Sequence, residues 1–217
     1  MRRFLIINPF GIGDVLFTTP LIKTLKGAYP DSVIGYWCNE RVRGILKNNP
    51  NINIIFALSR GDIKKIYHKS KLAGIYKSWN LWYKLKKERF NLCFDFSLDH
   101  RYALVAKLLG IKKRIGFNYK KRGRFLTDKI DIDGYNHKHI VEYYSDLLKF
   151  IDLEPKINNL DLSVPQNNRI KARQLLSNFG INEQDLIVGI APGAGASWGE
   201  DATLKHWPAV KFAQLAD

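Results

Sequence analysis

The sequence predicts an α/β protein built on a parallel sheet with helices on both faces, Rossmann-like in architecture. Three observations carry that reading. Short apolar runs alternate with longer segments of helical periodicity. The apolar runs are nearly continuous, as strands covered on both faces require. The first of them leads straight into a glycine-containing turn and a helical pattern, the opening of a βα unit. At 46% hydrophobic and 25% charged over 217 residues, the chain is too apolar for disorder and can bury a sizeable core. No apolar run reaches the ~18 residues that would span a bilayer. The amino terminus enters a short strand rather than a signal-peptide core, so a soluble, unexported, cytoplasmic protein is expected.

Residues 4–7 (FLII) make the first strand, the turn NPFGIGD follows, and a helical pattern runs to about Ala28. Strands at 32–38 (SVIGYWC) and 52–57 (INIIFA) flank a helix around Arg41 to Leu46. From Leu72 to Arg89, Leu72, Ile75, Trp79, Trp82 and Leu85 recur at helical spacing among lysines, the pattern of a basic amphipathic helix. Residues 91–96 (NLCFDF) read as a fourth strand, followed by a helix from about His100 to Leu109 and a short strand at Arg114 to Phe117. Ile140, Val141, Tyr144, Leu147, Leu148 and Ile151 mark another amphipathic helix. After a Pro- and Asn-rich segment with one short strand, a helix from Arg169 to Phe179 ends at the capping Gly180. Residues 186–191 (LIVGIA) read as a further strand, and a Gly-rich loop opens into a helix with Pro208 in its first turn. The organisation expected is a first domain over 1–155, a linker over 156–165, and the incomplete start of a second domain over 166–217, because two complete domains of ~150 residues would need about 300. Cys38 and Cys93 lie in strand-like stretches and read as small buried side chains, not a disulfide or a metal knuckle.

The 35 Lys+Arg against 20 Asp+Glu give a formal charge of +15, which points to an anionic partner. Between Ile111 and Phe125 the chain carries Lys112, Lys113, Arg114, Lys120, Lys121, Arg122 and Arg124 and no acid. Phosphate-backbone binding would suit such charge, but no helix-turn-helix, zinc-finger spacing or RNP-type aromatic strand accompanies it. A specific nucleic-acid partner is therefore not expected.

Ligands of open α/β sheets bind at the carboxyl ends of strands, which puts Asn8 to Asp14 under the closest reading. Gly11 and Gly13 begin a G-x-G-x-x-G pattern, but the third position is Leu16, and the Gly-Lys-Ser/Thr ending of a P-loop is missing. Asp14 either faces the cleft, its charge favoured by the helix start, or simply caps that helix. Asp131-Ile132-Asp133 reads as a solvated turn and Asp99 as a helix cap, with Asp95 near the cleft. His137 and His139, two residues apart, diverge and form no metal set.

The opening FLIINPFGIGDVLFTTPLIKTLKGAYPDSVIGYWC resembles the start of glycosyltransferase family 9, the ADP-heptose:lipopolysaccharide heptosyltransferases. RIGF at 114–117, the helix start HKHIVEYY, APGAGA at 191–196 and LKHWP at 204–208 resemble later landmarks of that family in the same order. The resemblance implies a GT-B fold of two Rossmann-like domains and an inverting, metal-independent enzyme without a cofactor, moving a heptose or related sugar from an ADP-sugar to a lipopolysaccharide-type acceptor. It implies that Asp14 is the catalytic base, with Gly11 and Gly13 on the acceptor side. It implies that Lys205 and the loop of Gly193, Ala194, Gly195 and Ser197 hold the donor diphosphate. The basic run from Lys112 to Arg124 would then meet an anionic acceptor, and the basic helix would give peripheral contact with the inner membrane face. The alternative within the same family is a truncated, non-catalytic acceptor-binding remnant.

Overall fold

The computed structural model describes residues 2–156, 159–192 and 206–216. The chain forms two compact units, Met1–Ser163 and Val164–Asp217.

The first unit holds a six-stranded sheet: β1 (Arg3–Ile7), β2 (Val33–Cys38), β3 (Ile54–Ala57), β4 (Leu92–Asp95), β5 (Lys113–Tyr119) and β6 (Asp128–Ile132). Their order is β3-β2-β1-β4-β5-β6, and every neighbouring pair is parallel. The chain winds outward from β1 in one direction and then in the other, the doubly wound arrangement that the apolar strands predict. Side-chain alternation in β1 feeds two cores. Phe4 and Ile6 join Leu21, Leu25 and Leu147 on one face, and Leu5 and Ile7 join Leu81, Leu85 and Ala106 on the other. All four β1 residues are buried, each aliphatic one contributing roughly 1.5–3 kcal/mol.

Helices cover the first face with α1 (Ile12–Leu16), α2 (Thr19–Ala28), α3 (Arg43–Leu46) and α7 (Ile140–Asp146), the last running into a 3-10 turn over Leu147–Ile151. The helical pattern read after the NPFGIGD turn begins inside that turn, at Ile12, and breaks at Phe17–Thr18. Pro20 lies in the first turn of α2, where it needs no intrahelical donor, and the Thr18 hydroxyl donates back to Val15 O at 2.6 Å. The second face carries α4 (Arg60–Lys69), α5 (Lys71–Lys87) and α6 (His100–Leu108). Gly74 lets α4 lie close on α5, since a Cβ there would meet the Tyr67 ring at 2.4 Å.

The basic amphipathic helix is α5, and its residues divide: Gly74, Leu81 and Leu85 are buried, whereas Leu72, Ile75, Trp79 and Trp82 are exposed. Two expectations need correction. Asp131 and Ile132 belong to β6, an edge strand paired with β5, where the Asp131 carboxylate accepts from Asn118 Nδ2. The strand expected in the linker is not formed among the described residues between 152 and 165. That segment is tied down by Asp161, whose N–H donates to Thr19 Oγ1 at 2.9 Å and whose Oδ2 accepts from Asn49 at 3.2 Å.

In the second unit, α8 (Gln166–Asn178) ends at Gly180 with φ +75, the left-handed cap expected there, and α9 is Ala209–Ala216. Residues 186–191 form no strand. Among the described residues of this unit none stands beside them to share a ladder, and Leu186 and Val188 are exposed. No described helix is long and apolar enough to cross a membrane.

Candidate functional site

Because all six strands run the same way, their carboxyl ends gather on one rim, and the chain reverses direction between β1 and β4. That is where an open α/β sheet has its crevice. The β1 turn at this point is built by two asparagines. Asn8 is fully buried; its Nδ2 donates to Asp14 O at 2.9 Å and its Oδ1 accepts from Phe10 N at 3.1 Å. Asn39, at the end of β2, donates from Nδ2 to Pro9 O at 2.9 Å and to Phe10 O.

Within that frame Asp14 sits in the first turn of α1, half-buried, and its Oδ2 accepts from Gly11 N at 3.1 Å. Among the described residues Oδ1 accepts no hydrogen bond. Both readings of Asp14 are thus compatible in one side chain: one oxygen closes the turn and the other is available. Gly11 contributes the N–H that orients the carboxylate, and Gly13 leaves the approach open, nothing lying within 4 Å of where its Cβ would be. Tyr36, Tyr135 and Tyr144 are near enough to feel the carboxylate. Burial raises all three phenols above their ordinary range, and the Asp14 charge raises them further. Tyr36 shares a hydrogen bond of 2.9 Å with Thr18 Oγ1, while the Tyr135 hydroxyl is buried beside that of Tyr144.

At the β4 end, Asp95 is buried and accepts from Ser97 N at 2.9 Å. Burial pushes its carboxyl up to about 7, with help from neighbouring Asp99. Asp99 caps α6 as expected, accepting from Arg101 N at 3.1 Å, and pairs with Arg60 at 2.7 Å and Arg101 at 2.9 Å. Burial works against its charge, but the hydrogen bonds and charge of Arg101, then Arg60, prevail and hold it at about 2.

The basic run does not form one patch. The seven residues of β5 pass through it and separate its ends by about 20 Å. Lys120, Lys121 and Arg122 stand on the carboxyl rim, where Arg122 N donates to Tyr119 O across a tight turn with φ +48 and +59 at the two lysines. Both lysines line an open cavity of about 650 Å³ with Asp131, Asp133 and His137. Lys112, Lys113 and Arg114 are at the opposite end. Lys113 donates to Phe150 O, and Arg114 donates to Phe125 O at 2.7 Å and Lys112 O at 3.1 Å. Arg124 lies on the return toward β6, over the Phe125 ring at 4.8 Å.

Lys205, Gly193, Ala194, Gly195 and Ser197 lie outside the described residues. His139 caps α7 through Nδ1 and meets Phe17 edge-on, while the His137 backbone N–H donates to Tyr143 OH, so the two histidines serve different partners. Cys38 and Cys93 are free and buried; burial pushes Cys38 up to about 12 and Cys93 well above its usual range. Sequence reasoning missed Asn8 and Asn39. An Asn before Pro in N-P-F-G is a turn signal that points to the first; the second acts on carbonyls 30 and 29 residues away, beyond any local pattern.

Comparison with known proteins extends this geometry. The family model for glycosyltransferase family 9 (heptosyltransferase) matches residues 78–217. Lipopolysaccharide heptosyltransferase 3 of Escherichia coli is 24% identical over 94% of this chain and 57% of its own length. Lipopolysaccharide heptosyltransferase 2 of Salmonella typhimurium LT2 is 25% identical over 99% of this chain and 59% of its own. The crystal structure of the family 9 glycosyl transferase from Veillonella parvula superposes with a TM-score of 0.79 at 22% identity, covering 100% of this chain and 59% of that one. The structure of E. coli ADP-heptose lps heptosyltransferase II gives 0.70 at 23% identity over 100% and 60%. The chain thus spans about three-fifths of the length of these relatives and shares their α/β fold.

Proposed function

The chain belongs to glycosyltransferase family 9, and from that premise we propose that it serves a lipopolysaccharide heptosyltransferase reaction, with its amino-terminal unit on the acceptor side. The donor is an ADP-sugar. The observation that carries this reading is the Asp14 carboxylate, held at the chain-reversal point by Gly11 N–H, its second oxygen accepting no hydrogen bond among the described residues. In the reaction that oxygen removes the proton from an acceptor hydroxyl as the hydroxyl oxygen attacks the anomeric carbon. The bond from that carbon to the diphosphate breaks on the opposite face, so the configuration inverts and the electron pair leaves with the ADP. One base is enough for this step, and a carboxylate also favours the positive charge that develops on the sugar. Departure of the diphosphate is assigned to Lys205 and the loop of Gly193, Ala194, Gly195 and Ser197, with no metal step, on the strength of the motif alone. Lys120, Lys121 and Arg122 on the same rim suit an acceptor bearing carboxylate or phosphate, and the reaction is placed in the cytoplasm.

Asp14→Asn tests the base. The variant keeps an oxygen for Gly11 N–H but cannot take a proton. Transfer from ADP-heptose is expected to fall at least ~100-fold, with acceptor affinity within about twofold. Retained turnover removes Asp14 from this role. Acceptor binding by a parent chain that transfers nothing supports the acceptor-binding reading instead.

A further inference from the structure

The crossover from β3 to β4 is made by the hairpin of α4 and α5, and the outer surface of α5 has a composition that water does not explain. Leu72, Tyr76, Trp79 and Tyr83 are 81%, 62%, 61% and 52% exposed. They stand at i, i+4, i+7 and i+11, one line along the helix, opposite the buried Gly74, Leu81 and Leu85. The Trp79 and Tyr83 rings are stacked, with centroids 5.8 Å apart and planes 16° from parallel, so part of this surface is ordered in advance. Lys87 continues the line at the carboxyl end, while Lys86 beside it donates to Leu109 O at 3.2 Å. From Arg60 to Arg89 the hairpin carries ten Lys and Arg against two acids. Both acids are engaged within the protein, Asp62 by Ser59 at the start of α4 and Glu88 by Arg3.

We propose that this face of α4–α5 docks on the interface of an anionic lipid bilayer. Trp and Tyr outweigh purely aliphatic residues along the line, and such rings, apolar in body and polar at the edge, suit the headgroup layer. Lysine outnumbers arginine on the hairpin eight to two, and its long stem lies along apolar surface while the ammonium reaches a lipid phosphate. A second copy of the face would set like charges against each other. A nucleic-acid duplex would match the charge and leave the aromatic line in water. The proposal rests on surface chemistry alone and stands or falls independently of Asp14.

The test is flotation of the whole chain with phosphatidylcholine vesicles and with vesicles containing a quarter phosphatidylglycerol. Capture by the anionic vesicles, weakened by salt, with a blue shift of tryptophan emission, is expected. At about fivefold per near-surface cation, the K84Q/K87Q variant should partition on the order of 25-fold more weakly. W79S/Y83S should lose capture at every salt concentration, with far-UV circular dichroism unchanged in both variants. The proposal is overturned if the parent chain floats with no vesicle, or if neutral and anionic vesicles capture it equally whatever the variant. It is also overturned if Trp79 and Tyr83 prove to govern dimerisation or duplex binding instead of vesicle capture.

Discussion

Replacing Asp95 by Asn should flatten the pH dependence of stability between about pH 4 and 7. The residue is 5% exposed, with the Ser97 N–H as its donor and no ion pair among the described residues. Its carboxyl sits at about 7 in the folded chain against 3.8 for a free one. Between those values the folded state binds a proton that the unfolded state has released, so stability falls as pH rises through the window. A window of about three pH units at 1.36 kcal/mol each sets the loss at about 4 kcal/mol by pH 8. Asn carries no charge and keeps an acceptor for Ser97, but it brings an amide N–H₂ that costs about 1–3 kcal/mol if it finds no partner. The net gain at pH 8 is therefore about 1–3 kcal/mol, and at pH 4.5, where only about 1 kcal/mol has been lost, the variant is up to about 2 kcal/mol less stable than the parent. Asp99 does not blur the window: held at about 2, it contributes stability that is lost only as pH falls below about 4. Urea unfolding followed by tryptophan fluorescence at pH 4.5 and 8 gives the four midpoints needed. Parallel pH profiles for the parent and D95N would refute the argument, because they would mean that Asp95 is already ionised in the folded chain at pH 4.5.

Two further substitutions probe the frame of the rim. Lys120 and Lys121 occupy a turn in which both central residues have positive φ, a conformation that suits Asn-Gly. K120N/K121G should add about 1–2 kcal/mol and raise Tm by roughly 2–4 °C per kcal/mol; a lower Tm in calorimetry would contradict this. At Gly116 an added Cβ would lie 2.5 Å from the Asp95 carbonyl oxygen in the neighbouring strand and 3.2 Å from Leu126 Cδ1. Gly116→Ala should cost about 3 kcal/mol or more, seen as a lower urea midpoint at unchanged m, and an unaltered midpoint would show that β4 and β5 are free to part.

The strands with the most continuous apolar sequence, β1, β2 and β4, could be read directly, because burial on both faces leaves little room for polar residues. β6 was missed because DKIDI alternates acids and a lysine with isoleucines, as an edge strand covered on one side does. α4 was missed because its apolar period, Ile63, Ile66 and Tyr67, is only one turn long and stands among lysines, although Ser59 and Asp62 mark its start. The 186–191 run shows the reverse error: an apolar stretch can propose a strand, but only a neighbouring strand can supply the ladder. In the candidate site, Asp14 was conspicuous from its turn, whereas counting charges treated the basic run as one patch even though the strand read at Arg114 to Phe117 passes through its middle. The direction of the α5 stripe was hidden for a related reason. Periodicity finds an apolar face but not what lies opposite it.

The place of β1 in the sheet bears on how the chain is made. Of the strands in this sheet β1 comes first in the chain yet lies between β2 and β4, so one of its edges closes early, against residues 33–37, and the other waits for residues 92–95. Until residues 92–95 have emerged, this largely apolar strand keeps a bare row of peptide groups. Such an edge is a template for pairing with the wrong chain, and its long-range closure is slow. Nascent chains that stall between β3 and β4 should therefore be the ones most in need of a chaperone.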